Sequence, residues 1–242
     1  LRKENNIPID ELAIQLIQAF EPPEGYYLGF SGGKDSTVIY DLAKRAKVKV
    51  SAHYSVSPVD PPQIHTFIKE EYPEVIWDYL AKGFFSKLVP KKGLPLRKTR
   101  WCCQYIKESG GLGQHKILGM RKEESSKRSN YTCFSQHTLK GQTNTWLLPI
   151  VNWSVGDVWR YIGEKNLNVC SLYEEGYSRV GCVLCPFSGK AENRKALEKF
   201  PKLVQAWKRA GGRYLKLRRE DPKRKPPTFQ TEDEYFNWWI TR

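Results

Sequence analysis

The chain has 242 residues, 40% of them hydrophobic and 13% aromatic, enough for one α/β core with a small appended region. No apolar run approaches the roughly 18 residues of a membrane span, and no signal-like segment opens the chain, so the expectation is a soluble, cytoplasmic protein with no membrane partner. A formal charge of +14 excludes an acidic surface and favours polyanionic partners, well beyond what one bound nucleotide needs.

Apolar residues at Ile9, Leu12, Ile14, Leu16, Ile17 and Phe20 recur at helical spacing and predict a helix over 7–20, ended by Glu21-Pro22-Pro23. Tyr26 to Phe30 reads as the first strand. It runs into Ser31-Gly32-Gly33-Lys34-Asp35-Ser36-Thr37, which opens a helix over 34–46. In that turn Gly32 and Gly33 can take backbone angles closed to other residues and let N–H groups approach an anion. Ser31, Ser36 and Thr37 add hydroxyls, and the helix points its positive end at the same spot. This is not a Walker A loop. Gly29 to Lys34 is one residue short of G-x-x-x-x-G-K, and Asp35 stands where Ser or Thr would bind magnesium. Asp35 either holds Mg2+ alongside ATP or caps the helix.

Residues 47–54 alternate as a second strand, Ser57-Pro58-Val59-Asp60-Pro61-Pro62 starts a helix to Glu71, and 74–80 forms a third strand. This alternation predicts a Rossmann-like, parallel twisted sheet flanked by helices, with ligands at the carboxyl ends of the strands. Ser55, Ser57 and Asp60, after the second strand, are candidate contacts for adenine or ribose. A further strand over 115–119 delivers Gly119 and the polar, helix-like stretch 122–129. There Arg121 and Arg128, beside Glu124 and Ser125, are candidate clamps for phosphate or sulfate, because the guanidinium fork binds such anions in two places. The last strand is expected over 145–150. Beyond about Cys170 come a Cys-x-x-Cys turn, a helix over 191–210, a linker near 221–227 and an aromatic helix over 232–240. The expected division is a nucleotide-binding domain over 1–165 and a cysteine-bearing, helical extension over 166–242.

Much of the positive surplus is local, in Lys82 to Arg100 and Arg209 to Lys225, the latter including Arg224. Phe84, Phe85, Trp101, Trp207 and Tyr214 are interleaved there as candidates for stacking on bases. Six cysteines without a secretory signal argue for metal or redox chemistry rather than disulfides. Four form two pairs, Cys102-Cys103 and Cys182-x-x-Cys185, and their spacing leaves both zinc and an iron–sulfur cluster open. Arg100 and Lys107 flank the first pair and favour thiolate there. Cys133 and Cys170 read as structural, packing as small hydrophobes.

Ser31 to Ser36 resembles the PP-loop of the ATP-pyrophosphatase superfamily. With Trp101-Cys102-Cys103, Gly119-Met120-Arg121 through Arg128, Pro149-Ile150 with Trp153, Asp157 and Trp159, and Gly181 to Pro186, the chain resembles the phosphoadenosine phosphosulfate (PAPS) reductase family. The resemblance implies an adenine nucleotide alpha hydrolase-like fold. It also implies a [4Fe-4S] cluster on Cys102, Cys103, Cys182 and Cys185, as in adenylyl sulfate reductases, with Lys107 bridging cluster and substrate and Arg121 and Arg128 binding the distal phosphate or sulfate. Catalysis would come from positive charge at Lys34, Arg121 and Arg128.

Three activities follow from it. One is ATP pyrophosphatase chemistry coupled to sulfur transfer onto DNA, as in DNA phosphorothioation, or onto tRNA, with a cysteine desulfurase as sulfur donor. Another is reduction of adenylyl sulfate or PAPS to sulfite with a thioredoxin-like reductant, which in the family uses a cysteine in a Glu-Cys-Gly-x-His tail motif. No cysteine follows Cys185 here, so the expectation favours the first. The third is a nucleotide-binding subunit without chemistry.

Overall fold

The computed structural model describes residues 2–4, 6–139, 141–223 and 225–241. The chain divides into two compact units, one of Leu1–Ser55, Pro62–Asp78 and Ser109–Val180, the other of Val56–Pro61, Tyr79–Glu108 and Gly181–Arg242.

The first unit is built on strands β1 (Tyr26–Gly29), β2 (Val50–Ser55), β3 (Ile76–Asp78), β4 (His115–Ile117), β5 (Phe134–Leu139) and β6 (Gln142–Leu147). They form one sheet in the order β3-β2-β1-β4-β6-β5, parallel throughout except for the β5–β6 hairpin. Tyr26, Tyr27 and Leu28 of β1 are all buried, as expected of an inner parallel strand covered on both faces. The fold is therefore α/β with a mostly parallel sheet, as the alternation of elements implies.

Helices α1 (Ile9–Ala19), α2 (Lys34–Ala46), α3 (Pro62–Glu71) and α6 (Val155–Glu164) cover this sheet. Helix α1 buries Ile9, Ala13, Ile14 and Ile17 along one stripe. Arg45, in the last turn of α2, donates at 3.0 Å both to Asp10 of α1 and to the Tyr161 hydroxyl of α6, tying three helices together.

Two expectations are corrected here. The last parallel strand runs from Gln142 to Leu147, not from 145 to 150, because Pro149 lacks the N–H that would continue the ladder. It pairs with β5, an edge strand without an apolar period, turned at Gly141 with φ +77°. The stretch 122–129 is not a helix but two short 3-10 turns broken at Ser125, which is extended.

The second unit contains α4 (Val89–Lys92), α5 (Trp101–Ile106), α7 (Lys190–Lys199), α8 (Pro201–Glu220) and α9 (Glu232–Ile240). The expected helix over 191–210 is two helices, since Phe200 leaves helical geometry and Pro201 starts the next. Trp207 is the centre of the core, with ring centroids of Phe84, Phe85 and Trp239 at 5.5, 5.2 and 4.9 Å. Phe84, Trp101 and Trp207 are buried, so these candidates for base stacking serve as core instead. Helix α9 docks through Tyr235, whose hydroxyl accepts the Leu94 N–H at 2.9 Å, and through Trp239, whose indole N–H donates to the Pro95 carbonyl at 2.6 Å. Arg224 of the basic run lies outside the described residues. Among the described residues, no helix is long and apolar enough to cross a membrane.

Candidate functional site

In the first unit the loop after β1 turns at Gly32, at φ +70°, where an added Cβ would meet Ile64 at 3.1 Å and Ile68 at 3.2 Å. Only glycine allows both the angle and this approach to α3. Ser36 donates to the Gly33 carbonyl at 2.8 Å and accepts the Ser31 N–H at 3.2 Å, so the two serines brace the turn. Gly33 is the N-cap of α2, and Thr37 is buried one turn on. The positive end of α2 thus opens at the carboxyl end of an inner strand, the geometry that binds phosphates.

The first N–H of α2 is engaged. Lys34 N–H donates to the Tyr173 hydroxyl at 2.9 Å, although the two lie far apart in sequence. Burial is the main reason the Tyr173 phenol is pushed up to about 12, so it is neutral here. Its oxygen occupies a position suited to an anionic oxygen. Sequence reasoning missed Tyr173, since a lone tyrosine in an irregular segment carries no local signal.

Lys34 and Asp35 are bound to each other, and Asp35 also to the strand-end segment after β4. Lys34 Nζ lies 3.1 Å from Asp35 Oδ2, and Arg121 Nε donates to Asp35 Oδ1 at 2.7 Å. Arg121, 4% exposed, also donates to Glu123 at 2.8 Å and to the Trp153 carbonyl at 3.3 Å. Its fork is therefore occupied by two carboxylates rather than held open as an anion clamp. Gly119 allows this junction, because a Cβ there would lie 2.8 Å from the Asp35 backbone. Arg128 pairs with Glu124, and Glu124 also accepts the Arg121 N–H at 3.3 Å. Ser125 is exposed between them. Ser55 ends β2 within reach of Tyr27, whose hydroxyl donates to Asp78 at 3.0 Å.

In the second unit all four paired cysteines, with Lys107, line one cavity. Among the described residues, no group of three His, Cys, Asp or Glu is close enough to hold a metal ion. The Cys182–Cys185 turn places Leu184 at φ +58°, a conformation uncommon for a branched side chain. Lys107 follows α5, and its N–H donates to the Cys103 carbonyl at 2.8 Å. A hydrogen bond from Cys102, then the charges of Lys107 and Arg100, bring the Cys103 thiol down to about 6, while Cys102 is pushed up as its donor partner. Burial pushes Cys182 up to about 12. Of that adjacent pair, Cys103 is the one held toward thiolate. Cys170 is buried as expected, whereas Cys133 is exposed and does not pack as a core residue.

A family model described as the phosphoadenosine phosphosulfate reductase domain matches residues 25–188. The chain is 30% identical over 200 residues to an uncharacterized protein of Methanocaldococcus jannaschii, covering 74% of this chain and 40% of that one. It is 29% identical over 174 residues to a probable FAD synthase of Schizosaccharomyces pombe, covering 68% of this chain and 62% of that one. Over a shorter stretch of 69 residues, 28% of each chain, it is 33% identical to an adenosine 5'-phosphosulfate reductase of Anoxybacillus flavithermus. Among solved structures it resembles PAPS reductase from Candida auris in a phosphate complex, with TM-score 0.54 and 18% identity over 75% of this chain and 97% of that one. It also resembles Candida glabrata FMN adenylyltransferase in complex with FMN and an ATP analogue, with TM-score 0.51 and 14% identity over 76% and 68%. The chain spans less than two thirds of the length of these curated relatives.

Proposed function

Because the chain belongs to the phosphoadenosine phosphosulfate reductase domain family, we propose that it is a PP-loop enzyme that cleaves ATP between the α and β phosphates to activate a nucleic-acid acceptor for sulfur transfer. The observation that carries this reading is the loop Ser31–Ser36, set at the carboxyl end of β1 with the N-terminus of α2 opening from it. Likeness to a probable FAD synthase, and likeness of fold to an FMN adenylyltransferase solved with an ATP analogue, is consistent with ATP as the nucleotide.

In this reading the triphosphate displaces the Tyr173 hydroxyl from the Lys34 N–H, and it competes with Asp35 for Lys34 Nζ. Asp35, relieved of Lys34, would take the Mg2+ that accompanies ATP. An acceptor oxygen attacks the α-phosphorus, the bond to the bridging oxygen of the β-phosphate breaks, and pyrophosphate leaves with the electron pair. A sulfur nucleophile then displaces AMP from the activated acceptor. Catalysis rests on positive charge from Lys34 and the α2 terminus, and from Arg128 once the phosphates replace Glu124 as its partner, with Arg121 positioning Asp35.

The four cysteines fit a thiophilic centre by their donor chemistry and shared cavity, and Cys102, Cys103, Cys182 and Cys185 would hold a [4Fe-4S] cluster. Bound there, the cluster supplies electrons and iron with affinity for sulfur. Lys107, which lines the same cavity, would offset the negative charge of thiolates that held such a group.

The test is incubation with ATP labelled at the α position, or with adenylyl sulfate and a dithiol, followed by assay of pyrophosphate and sulfite. Pyrophosphate release from ATP, falling at least about a hundredfold in Lys34→Met, is the expected result. Sulfite from adenylyl sulfate with no pyrophosphate from ATP would replace this reading by the reductase one, and tight nucleotide binding with neither product would leave a binding subunit. Iron and acid-labile sulfide in anaerobically prepared protein, lost together in Cys102→Ser, test the cluster separately.

A further inference from the structure

The positive surplus is not spread over the chain. The second unit carries 23 Lys and Arg against 9 Asp and Glu, a surplus of 14, whereas the first carries 17 of each. The nucleotide loop thus lies in an electrically balanced unit, and the entire net charge belongs to the unit with the cysteine pairs. An excess on this scale over 98 residues attracts polyanions.

The same unit holds a second cavity, of about 240 Å³, lined by Pro95, Leu96, Leu184, Asn193 and Trp239. It shares Pro95, Leu184, Cys185 and Pro186 with the cysteine-lined cavity. A cavity of this volume has room for a group the size of a nucleobase. One wall is the indole of Trp239, held by its bond to Pro95. The side-chain oxygen of Asn193 is buried there with no hydrogen-bond partner. At the rim a tight turn, in which Leu96 and Thr99 exchange backbone hydrogen bonds at 3.4 and 3.1 Å, presents exposed Arg97 and Lys98. Arg97 Nε donates to the Pro186 carbonyl at 2.7 Å, and the Arg100 guanidinium lies over the ring of Phe187, which is 47% exposed.

We propose that this cavity receives one unpaired base of an RNA strand, with Trp239 as its apolar wall and Asn193 as its hydrogen-bonding group, while Arg97, Lys98 and Arg100 hold the adjoining phosphates. It rests on the reading above only in taking the acceptor to be nucleic acid. The occupant is RNA because its loops offer unstacked bases freely, whereas duplex DNA must first extrude one. Cys185, common to both cavities, puts the captured base next to the thiols.

The experiment is fluorescence anisotropy of the full chain with a labelled RNA stem-loop carrying an unpaired pyrimidine loop, alongside a fully paired RNA duplex and a DNA strand of the loop sequence. We expect the stem-loop to bind at least tenfold tighter than either. Arg97→Ala with Lys98→Ala should weaken it at least tenfold and reduce the salt slope by about 1.5. Asn193→Ala should reduce the preference for loop over duplex severalfold. ATP binding and melting temperature should be unchanged in both variants, which separates this proposal from the fate of the ATP reading. Equal binding of loop and duplex with no effect of Asn193→Ala would overturn it, as would tighter binding of the DNA strand or indifference to the loss of Arg97 and Lys98.

Discussion

Tyr173 and Lys34 make the most consequential single contact of the nucleotide site, because a phenol oxygen holds an N–H that a phosphate would otherwise accept. Tyr173→Phe should cost the free protein about 1 kcal/mol and tighten ATP binding about fivefold by titration calorimetry. Unchanged or weaker binding would show that the hydroxyl does not compete with the nucleotide. Gly119→Ala should cost about 1–3 kcal/mol in urea melts, since its Cβ would press on the Asp35 backbone. Asp157 offers a test in pH. Burial opposes its ionisation, but hydrogen bonds from Ser154 and the charges of Arg2 and Arg160 outweigh that and hold its carboxyl below the usual value of 3.8. A lowered folded value stabilises above the unfolded pKa and loses that effect as pH falls through the folded one. Asp157→Asn should therefore cost about 1 kcal/mol at neutral pH, with the gap to the wild type closing below about pH 4 in thermal melts.

Helix α9 shows how a cap and an aromatic face cooperate. Thr231 accepts the Glu234 N–H at 3.1 Å while Glu234 reaches back to the Thr231 N–H, and the helix then buries Tyr235, Phe236 and Trp239. Thr231→Ala should lower stability by about 1 kcal/mol, read by tryptophan fluorescence during urea unfolding. Elements with a strong local signal were legible in the sequence. The α2 limits at Lys34 and Ala46 follow from the Gly-Gly turn and an uninterrupted helical pattern, and α9 from its aromatic spacing. The hairpin partner β5 was not legible, because an exposed edge strand needs no apolar alternation, and the α7–α8 break was lost by running a helix through Phe200-Pro201. The site divides in the same way. The phosphate loop is a local motif, but the Arg121–Asp35 and Tyr173–Lys34 bonds join residues distant in sequence, and no period or spacing announces them.

At the scale of the molecule, the two units differ in charge and in how they are threaded. Segregated charge makes the chain's response to salt a property of one unit. Binding to heparin should weaken steeply with ionic strength, whereas ATP affinity should change far less, and equal slopes in the two titrations would contradict that division. The threading has a consequence for synthesis. Val56–Pro61 and Tyr79–Glu108 leave the ribosome early, yet their packing partners begin only at Gly181. The Cys102-Cys103 half of the thiol pocket must therefore wait through roughly eighty residues of translation for its other half, open to oxidants and stray metals meanwhile. A nascent chain arrested before Gly181 would lack the pocket altogether.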